Sequence, residues 1–317
     1  MIVSVTLNPS LDRTVEVDRL ERGAVLRTSS PVLQPGGKGV NLTRALAHNG
    51  IASIAVLPVG GAEGAELSAL LEEAGVLTRL VAVSGRTRSN LPVAEPDGTI
   101  TTLNEPGSSL SSADFSALST VLPNLVAARD WVVFSGSIPP QCPGDQLVEL
   151  MMSVRDLGAS LAVDTSGEGL TASISARPRL IKPNRAELAQ AVGRELESIS
   201  DVITAAEELR ARGVERVLVS LGADGAVMVG EHGAVVGEST VPQQRSTVGA
   251  GDCFLAGFLS KYSTDESDED AAFVEAIAWG AAAVSLPGTS VPGPREITHS
   301  NVQLVWQPDL DRPLVAT

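Results

Sequence analysis

The chain has 317 residues, 43% of them hydrophobic and 19% charged, which fits one large α/β domain or two smaller ones in an ordinary globular protein. The sequence has no apolar run near the roughly 18 residues that cross a bilayer, and its first residues lack the basic region of a signal peptide. We therefore expect a cytoplasmic protein with no membrane partner. The formal net charge of −15 makes nucleic acid a poor partner, and any phosphate site must be locally basic.

Short β-branched runs alternate with helical patterns, which predicts a mostly parallel sheet with helices on both faces, within a single domain spanning residues 1–317. The predicted strands are Ile2–Leu7, Ser53–Val59, Trp131–Phe134, Ser160–Val163, Arg179–Ile181 and Val214–Ser220. The predicted helices are Gly39–His48, Glu63–Glu73, Gly144–Leu157, Arg185–Val192, Ile203–Arg212, Asp252–Tyr262 and Asp270–Leu286. Ligands of such sheets bind beyond the carboxyl ends of the strands, where this chain is rich in polar residues and glycine.

Two segments, at about residues 12–34 and 86–104, do not fit this alternation. The second has two alternating runs around the turn signal Glu95-Pro96-Asp97-Gly98. We interpret both segments as a small β-sheet that projects from the α/β core and can cover a site. The alternative is surface decoration.

Asp12 follows the first predicted strand, after a turn directed by Pro9. A carboxylate at this place can hold two sugar hydroxyls, and the alternative is a turn-stabilising Asx motif. Further on, residues 36–41 (GGKGVN) form a glycine-rich helix start that fits neither the P-loop nor the GxGxxG pattern. There Lys38 can meet a phosphate and Asn41 can bind sugar hydroxyls, although a tight loop with a solvated lysine would have the same sequence.

Arg27 and Arg88 lie in the two segments of the predicted small sheet. Either guanidinium can pair with a phosphate through two N–H bonds, and the alternative is a solvated surface charge.

Asn184 and Glu187 are three residues apart at a predicted helix start and share a face. Their oxygens suit Mg²⁺, directly or through water, but the same pair is also a capping box in form.

Residues 247–252 (TVGAGD) open a helical pattern with two glycines and an aspartate. A helix start carries unpaired N–H groups and partial positive charge, which suit a phosphoryl group that gains charge in a transition state. Asp252 can reach a substrate hydroxyl and accept its proton. The local alternative is an aspartate that only caps the helix.

Taken together, these motifs resemble those of the ribokinase-like PfkB carbohydrate kinases, in the same order and spacing. The resemblance extends from residue 1 to about residue 290, and the chain after Gly293 cannot be aligned. It implies a three-layer αβα core with a mostly parallel sheet and a small β-sheet lid. It also implies ATP and Mg²⁺ as cofactors, and it allows a homodimer through the lid.

The resemblance further implies roles for individual residues. Asp252 would be the catalytic base, and the anion hole would consist of Gly249, Ala250 and Gly251. The sugar phosphate would be held by Asp12, Gly37, Lys38, Asn41, Arg88, Arg27 and Ser137. The nucleotide would be bound by Lys182, Asn184, Ser220, Gly222 and Gly225. Mg²⁺ would be organised by Asn184 and Glu187 through water.

Within the family the sequence is most similar to bacterial 1-phosphofructokinases and the related tagatose-6-phosphate kinases. The resemblance therefore implies ATP-dependent conversion of D-fructose 1-phosphate to D-fructose 1,6-bisphosphate. The alternatives are a tagatose-6-phosphate kinase, a 6-phosphofructokinase or a kinase for an unphosphorylated sugar. A non-catalytic sensor of sugar or nucleotide is disfavoured because Asp252 and its glycines are present, and a nicotinamide dehydrogenase because GxGxxG is absent.

Overall fold

The structure, a computed structural model, describes residues 1–28, 30–241 and 243–315. Within these ranges the chain forms a ten-stranded sheet, a four-stranded sheet and nine α-helices. The strands are β1 (Ile2–Val5), β2 (Ser10–Glu16), β3 (Val32–Gly36), β4 (Ser53–Val59), β5 (Thr78–Ala82), β6 (Arg88–Ala94), β7 (Ile100–Asn104), β8 (Trp131–Ser135), β9 (Ser160–Asp164), β10 (Leu180–Ile181), β11 (Arg216–Ser220), β12 (Ala226–Gly230), β13 (Gly233–Ser239) and β14 (Val302–Val305).

The helices alternate with the strands of the larger sheet over most of the chain. They are α1 (Lys38–His48), α2 (Gly61–Glu73), α3 (Ser112–Val121), α4 (Gly144–Asp156), α5 (Gly167–Ser173), α6 (Arg185–Val192), α7 (Ile199–Ala211), α8 (Ala250–Tyr262) and α9 (Glu269–Val284). Among the described residues, none of the helices has both the length and the apolar character of a transmembrane span.

The large sheet has the strand order β14-β13-β12-β11-β10-β9-β8-β1-β4-β5, and its seven strands from β11 to β5 are parallel neighbours. Both β8 and β9 are buried along their whole length, as expected when helices cover both faces of a parallel sheet. Alternate residues of β8 enter different cores: Val132 belongs to the core that includes residues of α4 and α7, whereas Val133 belongs to the core that includes residues of α1, α8 and α9. The predicted three-layer α/β fold is confirmed.

The small sheet has the order β3-β2-β6-β7, with β2 and β6 parallel and the other pairs antiparallel. Its strands come from the two segments that broke the alternation in the sequence. It is much more exposed than the large sheet, and every residue of β7 is exposed. Because β2 is entered directly after β1, the small sheet begins at the carboxyl end of the central parallel strands.

The structure differs from the predicted elements in several places. The predicted helix from Ile203 begins earlier, because Ser198 caps α7 and forms a capping box with Asp201. The hairpin β12–β13, which continues the sheet in antiparallel fashion, was not predicted. Nor were β5, β14, α3 and α5, whose sequences lack a strong period of their own.

The segment after Gly293, which lies beyond the resemblance found in the sequence motifs, completes one edge of the large sheet. There β14 pairs antiparallel with β13, and Leu314 is buried. Arg312 pairs with Glu238 and donates a 3.1 Å hydrogen bond to the carbonyl of Asp224, whose carboxylate accepts from the Val315 amide at 2.8 Å. The C-terminal segment thus holds the turn that follows β11.

Helix α8 packs against α9 so closely that Gly257 has no room for a side chain. A Cβ atom there would lie 2.7 Å from the carbonyl oxygen of Glu275 and 2.8 Å from Cγ of Trp279. We predict that Gly257→Ala lowers the free energy of unfolding by about 1–3 kcal/mol, because the two helices must move apart. Urea denaturation measures this change.

The matched control for this prediction is Gly144→Ala, in the first turn of α4, where the nearest atom to an added Cβ is 3.9 Å away. That substitution should be neutral or slightly stabilising, since alanine favours a helix over glycine. Equal stability of the wild type and the Gly257 variant would contradict the close-packing interpretation.

Candidate active site

The predicted site residues converge where the carboxyl ends of the parallel strands meet the starts of α1, α6 and α8. Five charged groups lie together there, and we refer to them as the charge cluster: Lys38, Asp164, Lys182, Glu187 and Asp252. Lys38 comes from α1, Asp164 from the end of β9, Lys182 from the residue after β10, Glu187 from α6 and Asp252 from α8. The cluster therefore forms only when these distant segments fold together.

Asp252 is the third residue of α8, and its side chain is buried. The helix begins after Gly249, which has the left-handed φ of 78° that glycine adopts without strain. Among the described residues no side chain caps this helix start, and the Asp252 carboxylate instead accepts a 2.8 Å hydrogen bond from the Asn41 amide. The alternative interpretation of Asp252 as a helix cap is therefore wrong.

The surroundings of Asp252 make its carboxyl much less acidic than usual. Burial, followed by the nearby Asp164 carboxylate, raises the pKa of Asp252 from 3.8 to about 7, although Asn41, Lys38 and Lys182 act in the opposite direction. A carboxyl with a pKa near neutrality can both take up and release a proton under ordinary conditions. This is the property that a general base requires.

Lys38 opens α1, directly after Gly37 with its left-handed φ of 118°. Its ammonium group donates to Oδ1 of Asp164 at 2.9 Å and to Oε1 of Glu187 at 3.0 Å. Burial alone would lower the pKa of Lys38, but the two carboxylates outweigh it and raise that pKa above its ordinary value. Lys38 is thus a firmly charged cation, and the alternative of a solvated loop lysine is wrong.

Asp164 is shared between two ammonium groups, because Lys182 also approaches its Oδ1 atom, at 3.3 Å. The side chains of Asp164 and Lys182 are 0% and 3% exposed, so this ion pair is inside the protein. The second oxygen of Asp164, Oδ2, is buried and has no hydrogen-bond partner among the described residues. The sequence analysis gave Asp164 no role, although its place directly after a buried strand was a usable signal.

Asp12 lies within β2 and belongs to a small polar group on that strand and its neighbour. Its Oδ1 atom accepts from the Ser10 hydroxyl and the Asn90 amide, both at 2.8 Å. Burial raises the pKa of Asp12, and the two hydrogen bonds and two nearby arginines only partly offset this. Gly36 on β3 leaves the space for the carboxylate, because a Cβ there would collide with it. Asp12 is therefore no Asx-turn residue, since it pairs across the strands of a sheet.

Two further polar residues next to the predicted site were missed by the sequence analysis. Asn90 is buried, and its Oδ1 atom has no partner among the described residues, so it can accept a hydrogen bond from a ligand. Arg44, one turn after Asn41 in α1, donates to the Asn41 side-chain oxygen at 3.3 Å. This bond fixes which end of the Asn41 amide faces Asp252. The sequence signal for Arg44 was its position three residues after Asn41 on the same helix, where two side chains are neighbours.

The two predicted phosphate-binding arginines have different positions. Arg88, at the start of β6, is partly buried and donates to the carbonyls of Asn8 and Glu105, both at 3.1 Å. Asn8 in turn donates to the Ser137 hydroxyl at 3.1 Å, which ties Arg88 to the predicted substrate residue Ser137. Arg27 is exposed in the segment between β2 and β3, and the structure does not bring it to the charge cluster. Its role as a phosphate ligand stays a prediction.

The predicted nucleotide residues lie at the end of β11 and the start of α6. Asn184 and Ser220 form an isolated parallel bridge, so these two segments are adjacent. Gly222 starts a short turn. Gly225 has a left-handed φ of 88°, and its Cα lies so close to the Gly237 carbonyl that a side chain would not fit. These residues form a continuous rim beside Lys182. Whether they bind a nucleotide stays a prediction.

Asn184 and Glu187, the predicted metal ligands, form a complete capping box at the start of α6. The amide oxygen of Asn184 is occupied by the Glu187 backbone N–H at 2.8 Å, so only Oε1 of Glu187 is directed at the charge cluster. Within the described ranges, no cluster of three or more His, Cys, Asp or Glu side chains is arranged to hold a metal. Asp164 and Glu187 nevertheless supply hard oxygen donors that fit Mg²⁺ with water in its remaining coordination positions.

The predicted anion hole at residues 249–251 is only partly open in this conformation. The Ala250 amide donates to the Thr247 carbonyl at 3.3 Å, a long bond that an anion can replace. A Cβ on Gly251 would lie 3.4 Å from the Lys182 ammonium, which places that cation beside the helix start. The site thus combines a buried carboxyl, cations and backbone donors, which are the kinds of group that transfer of a phosphoryl group requires.

Comparison with known proteins gives a consistent result. The family model for pfkB family carbohydrate kinases matches residues 5–296. The 1-phosphofructokinase of Rhodobacter capsulatus is 39% identical over 261 residues, which cover 81% of this chain and 82% of that protein. The ATP-dependent 6-phosphofructokinase isozyme 2 of Escherichia coli is 34% identical, with 96% of this chain and 97% of that protein covered.

A crystal structure of phosphofructokinase-2 from Escherichia coli in complex with potassium has the same fold. It superposes with a TM-score of 0.89 at 33% sequence identity, and the match covers 93% of this chain and 96% of that one. The family resemblance found in the sequence motifs is therefore confirmed.

The hydrogen bond from Asn41 leads to a prediction about the Asp252 carboxyl. Asn41→Ala should move the pKa of Asp252 further upward, because a donor to the ionised form is lost while burial and Asp164 continue to act. Titration of ¹³C-labelled aspartate by NMR, with Asp252→Asn to assign the signal, measures this midpoint.

The control is Asn124→Ala, an exposed asparagine that bonds only to the Thr120 carbonyl within the described structure and should leave the midpoint unchanged. A midpoint that stays in place or falls in the Asn41 variant would show that Asn41 does not stabilise the carboxylate.

Proposed function

Since the chain belongs to the pfkB family of carbohydrate kinases and is thus a phosphotransferase with an alcohol acceptor, we propose that it phosphorylates D-fructose 1-phosphate to D-fructose 1,6-bisphosphate. Sugar kinases of this family use ATP as co-substrate. The specific substrate is suggested by the curated 1-phosphofructokinases that match most of the chain. A cytoplasmic location remains our prediction.

The observation that carries the proposal is the buried Asp252 carboxyl, with its pKa near 7, at the start of a helix. In the proposed mechanism, Asp252 accepts the proton of the sugar hydroxyl as that oxygen attacks the terminal phosphoryl group of ATP, and the bond between this phosphorus and the bridging oxygen breaks so that ADP leaves. The backbone N–H groups of residues 249–251 and the Lys182 ammonium stabilise the charge that develops on the transferred group. Asn41 keeps the carboxylate oriented.

The sugar phosphate is held between the two sheets. Asp12 and Asn90 on the small sheet accept from sugar hydroxyls, and the unpartnered Oδ1 atom of Asn90 is suited to this. Arg88 and Lys38 bind the phosphate that the sugar already carries. Because the protein has a net charge of −15, these local cations are what makes an anionic substrate acceptable.

The nucleotide lies, in this proposal, along the rim formed by Asn184, Ser220, Gly222 and Gly225. Asp164 and Glu187 would hold Mg²⁺, mainly through water, and the ion would supply neutralisation of phosphate charge. Asn184 acts through the backbone, since its side chain caps α6.

A second candidate function is phosphorylation of fructose 6-phosphate. It is favoured by the 6-phosphofructokinase isozyme of Escherichia coli, which aligns over 96% of this chain, compared with 81% for the 1-phosphofructokinase of Rhodobacter capsulatus. The two substrates differ in which end carries the phosphate, so Arg88 and Lys38 would be needed for both. The tagatose 6-phosphate kinase reaction is a third possibility within the same site.

The test is steady-state turnover with ATP and Mg²⁺ over D-fructose 1-phosphate, fructose 6-phosphate, tagatose 6-phosphate and free fructose. We expect the highest kcat/KM for D-fructose 1-phosphate, and a preference for free fructose would remove the phosphate role of Arg88. Asp252→Asn should lower kcat by about a hundredfold to ten-thousandfold. Asp145→Asn, at an exposed aspartate in α4, is the matched control and should retain full activity.

The exposed apolar residues of the small sheet also suggest a homodimer through that sheet. Leu91 and Leu103 stand opposite each other on β6 and β7 and are 36% and 58% exposed. Leu103→Asp should shift the protein toward monomer in light scattering after gel filtration. Leu77→Asp, at a residue that is 68% exposed before β5, should not. A wild-type protein that is monomeric at micromolar concentration would rule the dimer out.

A further inference from the structure

The Lys38 ammonium pairs with carboxylates of the protein itself, although its proposed partner is the phosphate of the sugar substrate. This ammonium group is bound between Asp164 and Glu187, the two carboxylates that fit a divalent ion. We propose that Lys38 is an internal placeholder cation, which leaves these carboxylates when a divalent ion takes its place and then binds the phosphate of the sugar substrate. The inference rests on the proposed function and adds a coupling between metal and substrate binding.

The contacts of the two lysines indicate which of them can be exchanged. Lys182 is 3% exposed and follows the buried strand β10, so it has little room to move. The side chain of Lys38 is 32% exposed and extends from the first residue of α1. A long, partly exposed lysine can swing about its side-chain bonds while the backbone stays in place.

Asp164 does not lose all its partners when Lys38 departs. Its Oδ1 atom keeps the Lys182 ammonium at 3.3 Å, and its Oδ2 atom, which has no partner among the described residues, becomes a second oxygen for the incoming ion or its water. Glu187 keeps Oε2 bound to the Asn184 backbone N–H at 2.9 Å and frees Oε1. Both carboxylates are thus pre-positioned for an exchange of cations.

The charge balance favours the same exchange. Two ammonium groups face the three carboxylates of the charge cluster, so one negative charge is in excess when all are ionised. Replacing the Lys38 ammonium by a divalent ion removes this excess. The released ammonium, whose side chain is already 32% exposed, then needs another anion to compensate for its charge.

The consequence is that metal and sugar phosphate bind cooperatively. A divalent ion frees Lys38 for the phosphate, and a bound phosphate holds Lys38 away from the carboxylates. Thermodynamic linkage requires both effects to be equal in size, typically between about fivefold and 150-fold.

The first test uses Mn²⁺ as a paramagnetic stand-in for Mg²⁺, with full-length protein and no nucleotide or sugar. Free Mn²⁺ measured by electron paramagnetic resonance should give at least about fivefold tighter binding to Lys38→Gln than to the wild type, because the competing cation is gone. Lys38→Arg, which keeps the charge, should bind Mn²⁺ as weakly as the wild type. The matched control is Lys261→Gln, at the last turn of α8, which should also leave the affinity unchanged.

The second test measures coupling first in the unaltered protein, where the result does not depend on how a variant folds, and then in the variant. D-fructose 1-phosphate should tighten Mn²⁺ binding to the wild type, and this coupling should vanish in Lys38→Gln. Equal or weaker Mn²⁺ binding by a folded Lys38→Gln variant, or no coupling in the wild type, overturns the proposal. If the substrate panel shows no turnover, the proposed function fails, while the Mn²⁺ comparison between Lys38→Gln and the wild type still decides the role of Lys38.

Discussion

The buried ion pair between Asp164 and Lys182 is the interaction on which the rest of the site depends. A carboxylate that is 0% exposed is tolerated inside a protein only when cations and hydrogen bonds compensate for its lost hydration. Lys182 supplies one cation from the residue after β10, and Lys38 supplies the second from α1. The pair therefore ties two neighbouring strands to a helix that follows the small sheet, and it fixes the electrostatic surroundings of Asp252.

Burial, and after it the Asp164 carboxylate of this ion pair, explains why the pKa of Asp252 differs so much from that of another aspartate. Asp252 is buried beside the negative charge of Asp164, and its only hydrogen-bond donor among the described side chains is Asn41. Asp201, by contrast, lies half-buried at the start of α7, where hydrogen bonds from Ser198 and backbone amides hold its pKa below the ordinary value. Two aspartates in the first turns of helices thus become a structural cap in one case and a candidate base in the other.

The sequence was sufficient for those parts of the fold and site that depend on local pattern. The parallel strands and most helices have a clear period, and residues 36–41 and 247–252 have glycines where the chain turns into a helix. The hairpin β12–β13 was missed although the sequence carries a signal for it, since two short apolar runs are separated by only Glu231 and His232. The capping role of Asn184 and its metal role share one sequence signature, and only the hydrogen bonds of the structure distinguish them. Asp164 and Asn90 were given no role because their partners are distant in the chain, whereas Arg44 was overlooked although its partner Asn41 is only three residues away.

Helix α8 is mostly buried, whereas strand β7 of the small sheet is exposed, and this difference determines where the protein tolerates amino-acid substitutions. Most residues of α8 are buried between the large sheet and α9, so a substitution near Asp252 disturbs the core and lowers stability. In the small sheet, β7 is exposed along its whole length and accepts substitutions at little cost, whereas β2, β3 and β6 are partly buried. Mutational drift, or a directed-evolution library, can therefore alter which sugar is recognised while the chemistry stays constant, and the small sheet is the place to diversify.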